Sequence, residues 1–141
     1  FEVRPDMSDP LVIAVSQSGT TTDTNRTVDV VRARGAIVVA IVNRRNSDLT
    51  DKADGVLYTS DGRDVEMSVA STKAFYAQVA AGCLLACAIA DAAGLGDRND
   101  RHRLLVALRE LPEAMNAVIA RRPEIAAAEL GDAKFAWGQG W

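Results

Sequence analysis

Two short apolar runs, LVIAV at 11–15 and AIVVAIV at 36–42, constrain the fold more than any other feature. Neither contains a charge, and both are rich in β-branched residues and bounded by polar residues or glycine. Runs of this kind read as central strands of a parallel sheet, covered on both faces. Between them, residues 23–34 place Val28 and Val31 on one helical face, with Asp29, Arg32 and Arg34 elsewhere, and Gly35 stops the pattern. Strand, helix and strand within about 30 residues make a βαβ unit with a right-handed crossover. A third strand is expected at 55–59 (GVLYT), preceded by a short helix over 47–53.

The second half reads as helical. Residues 68–93 form a long helix in which Phe75, Val79, Cys83, Ala86 and Ala90 make one stripe, and Gly94 and Gly96 end it. Residues 100–120 form another, with Leu104, Leu105, Leu108, Leu111, Met115 and Ile119 on its apolar face. Pro112 lies inside that stretch and predicts a kink or a division in two. Pro123 opens a further helix over 124–130, and residues 134–141 offer a strand start followed by a glycine turn.

Composition narrows the partners. The 141 residues suit about one globular domain, and a net charge of −3 speaks against nucleic acid. The most apolar stretch, 79–89, falls short of the roughly 20 residues that span a bilayer, so a buried helix and no membrane partner are expected. Cys83 and Cys87 lie four apart on one helical face, and the single histidine, His102, is remote in sequence. No metal site is expected; two small buried hydrophobes fit, in keeping with a reducing cytoplasm.

The chemistry concentrates where the first strand meets the first helix, at VSQSGTTTDT (15–24). Ligands of parallel α/β sheets bind beyond the carboxyl ends of strands, and a helix N-terminus offers unpaired N–H groups and a positive dipole end to an anion. Ser16, Ser18, Thr20 and Thr21 add hydroxyls, and Gly19 lets the backbone wrap closely. Helix capping alone needs one or two hydroxyls. No Walker motif and no G-x-G-x-x-G fingerprint is present. A second loop, 61–73, leads into the long helix with Ser68, Ser71 and Thr72 as ordinary capping residues. Lys73 in a first helical turn opposes the dipole, which points either to a compensating anion, Glu66 or a ligand, or to a solvent-exposed lysine without a role.

Three segments in order, SQSG-x-T-x-DT at 16–24, ADGVLYT at 53–59 and VASTKAF at 69–75, resemble the SIS (sugar isomerase) domain family in the form found in the isomerase half of glucosamine-6-phosphate synthases. The resemblance runs from about residue 11 to 120. It implies an α/β, parallel-sheet SIS-type (flavodoxin-like) domain, here incomplete and followed by C-terminal helices. It divides the chain into a partial phosphosugar-binding domain at 1–95, linking helices at 96–132 and the start of a second SIS half at 133–141. It implies that Ser16, Gln17, Ser18, Gly19 and Thr21 hold a sugar phosphate, and that Val69, through its backbone, and Ser71 contact the sugar. Glu66 corresponds to the family's acidic residue, and Lys73 is a further candidate. Thr20 departs from the family's glutamate, and the stretch before Val69 is two residues longer.

The functional expectation is a phosphosugar-binding part of an aldose–ketose isomerase or aminotransferase acting on fructose 6-phosphate, or on the glucosamine 6-phosphate class. No cofactor or metal is expected. The catalytic glutamate, histidine and lysine of the family belong to the second SIS half, so this chain alone is expected to be inactive. The alternative is a non-catalytic regulatory module that binds the same ligands. A cytoplasmic homo-oligomer is expected, because a sheet with an open edge invites pairing.

Overall fold

The structure, a computed structural model, describes residues 3–61 and 73–124. The elements follow the order β1 (Leu11–Ser16), α1 (Thr22–Arg32), β2 (Ile37–Val42), α2 (Asp48–Lys52), β3 (Gly55–Tyr58), α3 (Lys73–Ala92) and α4 (Arg98–Ala120). The chain divides between Leu95 and Gly96 into two compact units.

In the first unit the strands form a parallel sheet in the order β1-β2-β3. Ser16 pairs in register with Val42, and Val42 with Tyr58, so the carboxyl ends of all three strands finish level. The alternation of the pleat decides which side chains meet the helices. Ala14, Val38 and Ala40 from the sheet join Val28 and Val31 of α1, Leu49 of α2, and Met7 in one buried cluster. Leu49, Val31 and Val38 are fully enclosed. Gly35, at φ 95°, closes α1 in the left-handed conformation that glycine adopts without strain. Behind it, Met7 N–H donates to Arg34 O at 2.8 Å, and the Arg34 guanidinium donates to the carbonyls of Val3 and Arg4 at 2.7 and 2.9 Å. The N-terminal segment is thereby fastened under the amino ends of the strands.

Charged contacts reinforce the same end. Arg32 at the end of α1 reaches Asp54 at 2.9 Å, and Lys52 of α2 reaches Asp29 at 2.7 Å. Asp54 also accepts from Val38 N–H at 2.8 Å.

Several expectations change. The strand pattern predicts cover on both faces, but the opposite face of β1 is open: Leu11, Ile13 and Val15 are 43–50% exposed, as is Ile37 of β2 at 56%. A groove of about 350 Å³ runs along the outer edge of β1 beside α1, lined by Val12, Ile13, Ala14, Val15, Asp23 and Thr24 among others. β1 is an edge of the described sheet, and a run of apolar residues cannot by itself tell a central strand from an edge. The stripe predicted for α3 is also displaced. Ala74 and Ala81 are its buried residues, whereas Phe75 and Val79 are about half exposed, and Phe75 meets Tyr76 edge to face at 5.4 Å. Small residues let α3 approach β2 closely, so the alanines rather than the large side chains make the contact. The apolar part of α3, Ala74–Ala92, has 19 residues and a mean hydropathy of 1.6, long and apolar enough to cross a bilayer by length and composition. It is longer than the 79–89 stretch that stands out in the sequence. Cys83 and Cys87 lie along it as free thiols that are half-buried, not the buried pair expected from the sequence, because that part of α3 is largely exposed.

In the second unit α4 starts at an Asp97 cap, whose carboxylate accepts from Asn99 N–H at 2.8 Å. The helix continues through Pro112 without division. Its apolar face, including Leu104, Leu105, Leu111, Met115 and Ile119, is exposed. Of the helix expected at 124–130 only Glu124 is described, and it is helical; the rest of that helix and the strand start at 134–141 lie outside the described residues.

Candidate functional site

Each strand ends level with its neighbours, so the loops that follow β1, β2 and β3 gather on one rim. The loop after β1 makes the tightest turn. Gly19, at φ 67°, is buried, and a Cβ there would lie 2.1 Å from Ser47 Oγ and 2.8 Å from Ser47 Cβ. Only glycine fits both the angle and the space. Gly19 O accepts from Leu49 N–H of α2 at 3.1 Å, and Gln17 O accepts from the N–H groups of Asn43 and Arg44 at 3.2 and 3.3 Å. The loop is therefore tied to the turn after β2 on one side of Ser18 and to α2 on the other.

The hydroxyls divide into two roles. Ser16 is 8% exposed, and its Oγ accepts from Gly19 N–H at 3.0 Å beneath the loop. Ser18 and Thr20 lie above it: Ser18 Oγ accepts from Thr20 N–H at 3.2 Å and from Thr20 Oγ1 at 2.9 Å. Thr21 occupies the N-cap position of α1, yet its side chain makes no capping hydrogen bond. The first N–H groups of a helix have no partner within it. Here a residue of the favoured capping type stands beside them with its hydroxyl uncommitted to a cap.

The neighbouring strand ends complete the rim. Asn43, 6% exposed, accepts from Thr59 Oγ1 at 3.3 Å and from Ser60 Oγ. Arg45 stacks over the Tyr58 ring at 4.2 Å and donates to Asp61 O at 3.4 Å. Gln17 is half-buried, and its Oε1 has no hydrogen-bond partner among the described residues.

Of the residues singled out in the sequence, Ser16, Gln17, Ser18, Gly19 and Thr21 stand in this one loop. Glu66, Val69 and Ser71 fall outside the described residues, and Lys73 is the first residue of α3. His102 lies on α4, in the second unit. Sequence reasoning missed Asn25 and Asn43, two buried asparagines that hold the rim from below. A signal for Asn25 was present: it is a polar residue on the same helical face as Val28 and Val31.

A parallel α/β unit with a glycine-turned hydroxyl loop running from its first strand into a helix N-terminus belongs to the α/β proteins that take ligands at the carboxyl ends of their strands. The particular family follows from comparison: the sequence pattern of the SIS domain matches residues 6–88, and the chain belongs to that family. Over 126 residues it is 43% identical to glutamine–fructose-6-phosphate aminotransferase (isomerizing) of Corynebacterium glutamicum, a match covering 88% of this chain and 20% of that protein. The enzyme of the same name from Halobacterium salinarum is 38% identical over 128 residues, covering 89% of this chain and 21% of the relative. Among solved structures, the C-terminal domain of glucosamine-fructose-6-phosphate aminotransferase from Francisella tularensis superposes with a TM-score of 0.76 at 27% identity, over 88% of this chain and 34% of that one. The chain thus spans about a fifth of the length of the curated relatives it matches.

Proposed function

We propose that this chain is a phosphosugar-binding SIS domain of an aldose–ketose isomerase or aminotransferase, and that the loop from Ser16 to Thr21 anchors the phosphate of a ligand of the fructose 6-phosphate or glucosamine 6-phosphate class. The uncapped Thr21 carries the reading. Where hydroxyls serve only to finish a helix, the N-cap side chain bonds to the helix's own N–H groups; at α1 it does not. An anion at this position would meet those N–H groups, the positive end of the α1 dipole, and the hydroxyls of Ser18 and Thr21. The relatives' names point to a sugar phosphate as that anion's carrier. Val69 and Ser71, with Glu66 and Lys73 as further candidates, supply the sugar contacts in this reading. The contribution of the chain to the reaction is to fix the phosphate and so orient the sugar, while the groups that move protons lie elsewhere in the assembled enzyme. A cytoplasmic homo-oligomer is part of the same proposal.

Calorimetric titration with fructose 6-phosphate, with fructose and inorganic phosphate as controls, tests it. Saturable binding of the sugar phosphate, tighter than phosphate alone, is expected, together with its loss in the Ser18→Ala, Thr21→Ala double variant. Undiminished affinity in that variant would place the ligand elsewhere.

A further inference from the structure

The buried stripe that seats α1 on the sheet begins with an asparagine. Asn25, Val28 and Val31 are the three buried residues of that helix, and Asn25 is 6% exposed. Its Nδ2 donates to Gly19 O at 3.0 Å and to Thr21 O at 3.1 Å. Two carbonyl oxygens around one atom settle which end of the amide is nitrogen, since the flipped amide would set oxygen against oxygen. Its Oδ1 is buried and has no partner among the described residues. A buried acceptor without a donor costs stability and offsets part of what the two Nδ2 bonds contribute, so folding alone gives an amide little advantage over an apolar side chain of similar size here.

What Asn25 supplies is direction. In a trans peptide the C=O and N–H of one unit point opposite ways. Holding the Gly19 and Thr21 carbonyls towards the Asn25 side chain turns the N–H groups of Thr20 and Thr22 away from it, and Thr20 N–H meets the Ser18 hydroxyl on that outer side. The same two carbonyls are also gripped by backbone donors, Leu49 N–H at 3.1 Å and Asn25 N–H at 3.0 Å. One side chain therefore spans the loop on either side of Thr20 and couples both peptide units to a single rigid helix.

We propose that Asn25 is a positioning residue of the anion loop: through its side-chain amide it aims the N–H groups of Thr20 and Thr22 at the ligand phosphate. The ligand part of this proposal rests on the phosphosugar reading; the loop geometry does not.

The test is carried out by NMR on the full chain. In the unliganded protein, couplings across the hydrogen bonds from the Asn25 side-chain amide protons to the Gly19 and Thr21 carbonyl carbons are expected; their absence overturns the proposal. Asn25→Leu, which replaces the amide by an apolar group of similar volume, is expected to retain the thermal midpoint while fructose 6-phosphate affinity falls about tenfold, the worth of one or two ordinary hydrogen bonds. The ligand-induced downfield shifts of the Thr20 and Thr22 amides are expected to shrink with it. A merely structural role would lower the midpoint in step with affinity. Affinity within about twofold of the parent, with both shifts intact, sinks the assignment. Should Asn25→Leu fail to fold, Asn25→Ala removes the donors without adding volume, and affinity and the two amide shifts are read in that variant. If the parent chain binds neither fructose 6-phosphate nor inorganic phosphate, the phosphosugar reading fails. The couplings, and the backbone order of Gly19 to Thr22 in the variants, still decide whether Asn25 holds the loop.

Discussion

Gly19 is the residue on which the rim depends most directly, because two independent constraints meet there. Its φ of 67° disfavours any L side chain by about 1–2 kcal/mol. Its missing Cβ also leaves room for Ser47, which packs where that atom would be. Gly19→Ala is therefore expected to destabilise the chain by more than about 2 kcal/mol in urea denaturation, and to abolish sugar-phosphate binding. Adding Ser47→Gly removes the clash with Ser47 but neither the tight approach of Val42 Cγ2 at 3.1 Å nor the backbone strain, so recovery should be partial; full recovery would show that φ matters little. Gly19 was legible in the sequence, since a glycine inside a hydroxyl-rich strand-to-helix turn marks a place where the backbone must wrap tightly. Asn25 was legible only in part: its place on the face of Val28 and Val31 is a signal, but its bonds to the Gly19 and Thr21 carbonyls depend on how the loop folds back over the helix.

At the scale of elements, the strands and helices were legible because each carries an unambiguous pattern and a stop. β1, β2 and α1 fall within a residue or two of where apolar runs and Gly35 place them. The facing of α3 was not legible. Its sequence, KAFYAQVAAGCLLACAIADA, is apolar nearly all round, and a helix without a polar side does not announce which side it buries. The ties between elements were equally hidden. Asp54 sits just before β3, and its carboxyl is held below the usual carboxylate range, chiefly by the Val38 N–H it accepts and further by Arg32. Because the folded value lies below the unfolded one, this contribution to stability is present in full above the unfolded value. It is lost as pH falls through the folded value. Acidification from about pH 5 downward should lower the thermal midpoint, and Asp54→Asn should flatten that part of the curve. An unchanged acid limb would show that Asp54 does not couple folding to pH.

At the scale of the whole molecule, the first unit presents an open sheet face and a groove along an edge strand. Unpaired edges and contiguous exposed apolar residues are surfaces that associate. Light scattering is expected to show mass rising with concentration. Ile13→Lys with Val15→Lys should shift the chain towards monomer while changing unfolding free energy by no more than about 0.5 kcal/mol. A parent chain that stays monomeric at high concentration would remove oligomerisation from the proposal. The sequence signalled half of the candidate site at this scale. The hydroxyl loop is local, so its residues come together whatever the rest of the chain does. The partnership of that loop with the turn after β2 depends on strand order, which residue spacing alone does not encode.

The fastening of Arg34 to Val3 and Arg4, and of Arg32 to Asp54, has a consequence for how such a chain can change over time. These contacts all gather at the amino ends of the strands, whereas the hydroxyl rim occupies the carboxyl ends. Variation at Ser18, Thr20 or Thr21 leaves the fastened end untouched. A lineage could therefore retune what it recognises by small drifts on one pole while selection for foldability acts on the other, with Gly19 and Asn25 as the narrow places where the two pressures collide.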